Sequence, residues 1–270
     1  AIAAAAGSVA GVVLLDRHSD PDHHRTVLTL GGRQGSLHEA LLVAGAAAID
    51  VIDLRTHAGA HPRVGALDIA PIVHLDASER GAACAEALTL ADRLAEELKL
   101  PVFLYGALSE HGLTRAQIRR GGPAQLQARI DAGEMQPDFG PRRLHPSAGA
   151  VLVAARPPLV AFNVELEPPA DLRTARQIAA LVREGGAEGL PGLRAIGVEL
   201  RSRGGIAQVS MNLEDHDRLT LAEVLHAVSR HARPAGVELV GLAPRAALAG
   251  FPADLPVANR RTIEEMLRTG

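Results

Sequence analysis

The order of strand-like and helix-like segments in the second half of the chain constrains the fold most. Apolar and β-branched runs alternate there with stretches of helical periodicity. In sequence they are strand 159–166, helix 171–184, strand 193–200, strand 206–213, helix 220–232 and strand 237–242. This β-α-β-β-α-β order is typical of a ferredoxin-like unit, in which both helices cover one face of an antiparallel sheet.

The first half follows a similar but longer plan. It contains an apolar helix end at 1–7, strands at 11–16, 25–30, 66–75 and 101–105, and a polar loop at 17–24. Three helix starts are indicated by capping residues, which are Ser36 with Glu39, Asp76, and Thr114 with Gln117. We therefore predict a mixed α/β (α+β) fold of two ferredoxin-like α/β sandwich subdomains with mainly antiparallel sheets.

The predicted subdomains are residues 1–148 and 149–270, because the Pro- and Gly-rich stretch 133–150 is typical of a linker. The sequence opens on AIAAAAG without an initiator Met. We expect the sequence to be incomplete at its N-terminus.

Composition narrows the functional classes. The formal net charge of -3 leaves no basic footprint for nucleic acid. The single cysteine, Cys84, excludes an internal disulfide and fits a reducing compartment. Asp16 and Arg17 interrupt the early apolar stretch before it reaches membrane-spanning length. We expect a cytoplasmic protein with no nucleic-acid or membrane partner.

One loop combines the residue types that carry out chemistry. The stretch Asp53–Asp68 reads DLRTHAGAHPRVGALD and lies between two apolar segments. His57 and His61 are four residues apart, but Gly59 and Pro62 favour a tight loop over a helix. Titratable residues concentrated in such a loop are typical of catalytic or binding sites.

This stretch resembles the glutamate formiminotransferase family, whose pattern reads roughly R-x-H-x-G-x-H-P-R-x-G-A-L-D. Further matching segments follow in the family's order: LLD at 14–16, RTV at 25–27, LAEEL with PVFLYG at 94–106, PDFGP at 137–141, AFNV at 161–164, AQVSMNL at 207–213 and ELVGLAP at 238–244. The resemblance covers nearly the whole chain. It corresponds to the formiminotransferase domain without the cyclodeaminase half that animal members carry, and it implies a homodimer.

The resemblance implies transfer of the formimino group from N-formimino-L-glutamate to tetrahydrofolate, within histidine degradation and one-carbon metabolism. Tetrahydrofolate would be a co-substrate, and no metal is expected. The family's catalytic histidine falls on His61. An imidazole suits the reaction because the attacking nitrogen must lose a proton and the departing amine must gain one.

The resemblance also implies binding residues. Arg25 and Arg63 lie in matched motifs and could pair with the carboxylates of the donor, and His57 belongs to the same loop motif. Asp68 could stabilise the cationic amidine; alternatively it caps a turn or pairs with Arg63. The expected folate-contacting loop is PDFGP, which comprises Pro137, Asp138, Phe139, Gly140 and Pro141.

Two alternatives remain open. The loop 18–24, reading HSDPDHH, could hold a metal ion for hydrolysis. Alternatively, the chain could bind folate or a similar ligand without transferring a group. The second alternative rests on departures from the family pattern, which often has Asp at the position of His18, Asn at His24, Glu at Ala60 and Asn at Glu165.

Overall fold

The chain divides into two compact units in the computed structural model, which describes residues 1–59 and 61–269. Unit 1 comprises Ala1–Leu14 and Leu30–Pro157. Unit 2 comprises Leu15–Thr29 and the chain from Pro158 onward. The expected subdomain boundary at residue 148 stays a prediction. Ala60, one of the departures from the family pattern, lies outside the described residues.

The helices are α1 (Ile2–Gly7), α2 (Leu37–Val51), α3 (Arg80–Leu98), α4 (Arg115–Arg119), α5 (Gly122–Asp131), α6 (Leu172–Val182), α7 (Leu221–Ser229) and α8 (Ile263–Thr269). The strands are β1 (Val12–Asp20), β2 (Arg25–Gly32), β3 (Ile69–Val73), β4 (Val102–Leu104), β5 (Val151–Arg156), β6 (Val160–Leu166), β7 (Leu193–Leu200), β8 (Ile206–Leu213), β9 (Pro234–Val240) and β10 (Val257–Ala258). Among the described residues, no helix has both the length and the apolar character needed to cross a bilayer.

Unit 2 has the predicted ferredoxin-like order. Its five strands run β10-β9-β6-β8-β7, and β6 pairs antiparallel with both β8 and β9. Helices α6 and α7 pack on one face, where Phe162, Val209 and Leu239 are buried among their side chains. The predicted strands and helices of this half are confirmed. The parallel edge strand β10 is an addition that the sequence pattern did not indicate.

Unit 1 contains a parallel sheet in the order β3-β5-β4. The mainly antiparallel arrangement predicted for this half is therefore wrong. The reason is the connections: α3 joins β3 to β4, and α4 with α5 joins β4 to β5, and such helical crossovers bring strands into parallel register. Helix α5 and strand β5 were not predicted. The glycine pair 121–122 indicated the end of a helix, and β5 directly follows the stretch 133–150, which favoured a linker.

The N-terminal strands form a longer ribbon than expected. β1 continues to Asp20, so the polar loop predicted for 17–24 is wrong for its first part, and only residues 21–24 form the turn. Buried and exposed side chains alternate from Asp16 to Ser19, as in a strand, but all four residues are polar and the sequence pattern did not indicate the extension.

The start of α2 differs from the predicted capping box. The Ser36 hydroxyl donates to the carbonyl of Arg33 and does not cap the helix. Instead, the buried carboxylate of Glu86 accepts from the backbone amides of Gly35, Leu37 and His38 at 2.7–3.1 Å. A carboxylate from α3 thus takes over the capping role, whereas the Thr114–Gln117 box is confirmed.

Candidate functional site

The loop 53–68 is fixed at both ends by backbone hydrogen bonds within unit 1. The amide of Leu54 donates to the carbonyl of Ser147 at 2.8 Å, and the amide of Ala66 donates to that of Ala148 at 2.9 Å. The amide of Ala150 donates to Val64 at 3.0 Å. The segment 145–150 therefore fixes the backbone of the loop near its start and near its end, on either side of the two histidines.

Two glycines make this close backbone approach possible. A Cβ atom at Gly65 would lie 1.9 Å from the carbonyl oxygen of Ala150. Gly149 has a φ of +70°, and a Cβ there would lie 2.0 Å from the carbonyl oxygen of Val64. The glycine of the G-A-L-D motif, Gly65, is thus required by packing.

Asp68 holds the end of the loop. Its Oδ1 accepts from the backbone amides of Val64 at 2.7 Å and Gly65 at 3.1 Å, and its Oδ2 forms an ion pair with Arg119. The alternative in which Asp68 caps a turn describes this geometry, and among the described residues the ion-pair partner of Asp68 is Arg119, not Arg63. Arg119 was not singled out from the sequence, since nothing local connects residues 68 and 119.

Arg63 closes the histidine-containing part of the loop. Its guanidinium donates to the backbone carbonyl of His57 at 2.5 Å. His57 and His61 are both half-buried, so neither ring belongs to the hydrophobic core. At the start of the loop, Arg55 binds the carboxylate of Asp53 and lowers the pKa of Asp53 to about 2.

The PDFGP segment packs within unit 1 beside β4. The amide of Val102 donates to the carbonyl of Phe139 at 3.0 Å, and the Asp138 carboxylate accepts from the amide of Leu104 at 2.7 Å. Phe139 packs partly buried against the core of the unit. Gly140 has a φ of +82°, and a Cβ there would lie 2.5 Å from the carbonyl oxygen of Leu100. The segment is therefore bonded to β4 and packed on the core of unit 1, and it is not a flexible linker.

Within PDFGP, Pro137 is half-buried and Pro141 is exposed. Among the predicted site residues, Arg25 differs in its location, because it lies half-buried at the start of β2 in unit 2. The structure thus gathers the loop histidines, Arg63 and Asp68 in unit 1, together with PDFGP.

Unit 2 contains a polar cluster that the site prediction missed. Asn163 donates from Nδ2 to the Glu238 carboxylate at 3.0 Å, and Nε2 of His18 lies 3.6 Å from the same carboxylate. Asn259 contacts Nδ1 of His18 at 3.1 Å. At the position where the resembled family often has Asp, His18 therefore lies beside a carboxylate from another strand. The available signal was polar residues at alternate strand positions.

The residues of the 18–24 loop have separate partners. Asp20 contacts the ring of His23 at 3.1 Å and accepts from its backbone amide at 2.7 Å. Burial alone would raise the pKa of Asp20, but these bonds from His23 outweigh it and leave that pKa below its usual value. In the part of the chain that the structure describes, no group of three or more His, Cys, Asp or Glu side chains could hold a metal ion.

Comparison with known proteins decides the family. The N-terminal subdomain model of the formiminotransferase domain matches residues 1–156, and a second formiminotransferase domain model matches residues 161–253. The chain belongs to the formiminotransferase family. This finding confirms the resemblance inferred from the loop and from PDFGP.

Individual relatives of this chain are named for the same family. Glutamate formimidoyltransferase of Streptococcus pyogenes serotype M1 is 37% identical over 254 residues, covering 92% of this chain and 84% of the relative. Glutamate formimidoyltransferase of Thermoplasma acidophilum is 31% identical, covering 90% of this chain and 82% of the relative. The formimidoyltransferase-cyclodeaminase of Rattus norvegicus is 36% identical, and the match covers 92% of this chain but 48% of that protein. The chain thus spans about half the length of such bifunctional relatives.

Proposed function

We propose that this chain is a glutamate formimidoyltransferase, which transfers the formimino group from N-formimino-L-glutamate to tetrahydrofolate. The products are 5-formiminotetrahydrofolate and L-glutamate, as expected of a step in histidine degradation. The observation that carries the proposal is the 37% identity to a glutamate formimidoyltransferase across 84% of that relative. The fixed loop with two half-buried histidines supports it.

In the proposed reaction, His61 acts as the general acid and base. A nitrogen of tetrahydrofolate attacks the formimino carbon and forms a tetrahedral intermediate. The bond from that carbon to the glutamate nitrogen then breaks. His61 accepts the proton that the folate nitrogen loses and delivers it to the departing amine. A ring with a pKa near neutrality can perform both steps, which is why an imidazole suits this position.

The other predicted residues divide between binding and positioning. We assign Arg25 to the carboxylates of the donor, since a guanidinium binds a carboxylate through two parallel bonds. Arg63 and Asp68 hold the loop, through His57 and Arg119 respectively, and thereby position His61. His57 is assigned to substrate binding.

The folate co-substrate is assigned to PDFGP. Phe139 would provide apolar contact to the ring system of the folate, and Gly140 lets the segment pack against the carbonyl oxygen of Leu100. The remaining residues of this assignment are Pro137, Asp138 and Pro141.

Replacing His61 by Ala tests the proposal. We expect turnover to fall about 10³-fold, the range for loss of a general acid–base group, while folate affinity stays near that of the unaltered protein. His74→Ala is the control, because His74 is another half-buried imidazole of unit 1 and lies outside the loop. Equal turnover in His61→Ala and the unaltered protein would contradict the role of His61. Folate binding without turnover in the unaltered protein would favour a binding module instead.

Three further properties belong to this proposal: a homodimer, a cytoplasmic location and activity without metal. Light scattering should give twice the chain mass of 28.2 kDa. Turnover should survive dialysis against a chelator, whereas its loss and recovery with zinc would restore the hydrolase alternative.

A further inference from the structure

A turn in unit 1 closes on the ring of a single histidine. The turn runs from His145 to Gly149, and these two residues exchange both of their backbone hydrogen bonds at 2.9 Å. Nδ1 of His145 accepts from the backbone amide of Ala148 at 3.1 Å and from that of Ser147 at 3.4 Å. Pro146, the remaining residue of the turn, has no amide hydrogen. The imidazole therefore accepts both of the amide hydrogens inside the turn.

These contacts identify the tautomer of the His145 ring. A ring nitrogen that accepts hydrogen bonds carries no proton, so the proton of the neutral ring lies on Nε2. Asn and Asp side chains place an oxygen at the position of Nδ1 when they accept from the backbone amide two residues along the chain, in an Asx turn. His145 thus plays in this turn the part that an Asn or Asp residue plays in an Asx turn.

One peptide unit of the turn connects the ring to the loop 53–68. The carbonyl of Ser147 and the amide of Ala148 belong to the same planar peptide unit. The carbonyl accepts from the amide of Leu54 at 2.8 Å, and the amide donates to the ring of His145. Because the unit is rigid, a rotation that breaks one of these bonds also moves the group that makes the other. The imidazole is thereby linked to the start of the loop.

The next carbonyl of the turn holds the other end of the loop. The carbonyl of Ala148 accepts from the amide of Ala66 at 2.9 Å, and His61 lies between Leu54 and Ala66 in the chain. We propose that His145 is a positioning residue for His61, because it holds the turn to which both ends of the loop are bonded. In this role His145 acts through the backbone of the loop and not on the reacting atoms. The inference rests on the proposed function, in which His61 moves a proton between the two substrates.

Two substitutions of His145 test the inference by turnover. His145→Asn removes the imidazole but keeps the acceptor, because Oδ1 of asparagine is bonded to Cγ, as Nδ1 of histidine is. His145→Leu removes the acceptor. We expect turnover to fall about 10²-fold in His145→Leu, as for a reacting group displaced by about 1 Å, and to stay within about threefold of the unaltered protein in His145→Asn.

His74→Leu is the matched control for these substitutions. His74 is another half-buried histidine of unit 1, and its Nδ1 also contacts a backbone group, the carbonyl of Asp76, at 3.2 Å. It lies outside both the loop and the turn, so His74→Leu should keep full turnover.

The imidazole signal of His61 in a nuclear magnetic resonance spectrum tests the position of the ring directly. In protein that contains isotope-labelled histidine, this signal is identified by its absence from His61→Ala. We expect it to shift in His145→Leu and to keep its position in His145→Asn and His74→Leu, since only the first variant releases the loop. A merely structural role of His145 would lower the stability of the fold without moving the His61 signal.

Should His145→Leu fail to fold, His145→Gln takes its place. Its acceptor lies one methylene farther from the backbone than that of asparagine, which changes the geometry at the amide of Ala148. We therefore expect turnover about tenfold below that of His145→Asn, with a shifted His61 signal. Equal turnover in these two variants would overturn the inference.

Three results with a folded His145→Leu would overturn the inference: full turnover, a loss of turnover no larger than in His145→Asn, or lost turnover with an unchanged His61 signal. Each of them leaves the proposed function intact. Absence of formimino transfer by the unaltered protein would instead overturn the proposed function. The His61 signal would then still decide whether His145 positions this ring.

Discussion

The loop 53–68 of unit 1 differs from the polar sheet face of unit 2 in how its polar side chains are bonded. The polar sheet face comprises Asn163, Gln208 and Glu238, on the side of the sheet opposite α6 and α7. In the loop, both oxygens of Asp68 have partners within the fold, and the guanidinium of Arg63 binds a backbone carbonyl. On the polar sheet face, Gln208 has no partner for its amide among the described residues. The comparison shows that polar residues of a family motif can hold the fold together, whereas the buried amide of Gln208 contributes no hydrogen bond to it within the described part of the chain.

The largest expected change in stability concerns Asp68 in the loop 53–68. Asp68→Ala removes the partner of Arg119 and of two backbone amides, and we expect the free energy of unfolding to fall by about 3 kcal/mol. Urea denaturation would measure it. Asp53→Ala is the control, because the Asp53–Arg55 pair is exposed to solvent and should contribute little. Similar losses in both variants would show that Asp68 is not a structural residue.

A second prediction concerns the backbone of PDFGP. Gly140→Ala places a Cβ against the carbonyl oxygen of Leu100 at positive φ, and should lower the free energy of unfolding by about 2 kcal/mol. Gly106→Ala has a positive φ but no atom within 4 Å of the added Cβ, and should lose about 1 kcal/mol. Thermal unfolding of both variants would separate contact from conformation. An equal loss would mean that the approach to Leu100 does not require glycine.

A third prediction concerns the polar sheet face, where we expect a substitution to leave the free energy of unfolding unchanged or to raise it. Gln208→Met removes an amide without hydrogen bonds, so the free energy of unfolding should stay unchanged or rise by about 1 kcal/mol. Asn163→Leu is the matched control on the same face, and should lose about 1 kcal/mol because Asn163 donates to Glu238. Destabilisation of Gln208→Met would show that the amide already has a partner within the protein.

The smallest expected effect depends on pH. The pKa of Asp20 lies below its usual value in the folded state, so its contribution to stability is present above the unfolded pKa of about 3.9. That contribution is lost as pH falls toward the folded pKa. Between about pH 5 and about pH 2, Asp20→Asn should therefore lose less stability than the unaltered protein does. Parallel pH profiles for the variant and the unaltered protein would contradict this assignment.

The sequence predicted unit 2 more accurately than unit 1, and the connections explain why. In unit 2, β7 and β8 are joined by the short segment Arg201–Gly205, so neighbouring segments pair locally and their patterns suffice. In unit 1, β5 lies between β3 and β4 although it follows both in sequence. Its apolar run VLVAAR is compatible with several structures until that position buries both of its faces.

The candidate site divides in the same way. The histidines, Arg63 and PDFGP could be found because they form contiguous motifs with a family resemblance. Glu86, Arg119 and Gln208 could not, since each owes its role to a residue or face that is distant in sequence. Single polar residues in helices and strands carry no local signal of such contacts.

The sequence by itself determined the family, the order of elements in unit 2 and the loop that carries His61, because these depend on local periodicity and contiguous motifs. Tertiary structure alone decided the parallel sheet of unit 1, the carboxylate that caps α2 and the buried amide of Gln208. Each of those depends on which segments meet in space, and hydrogen bonding and burial act on neighbours in space irrespective of their separation along the chain.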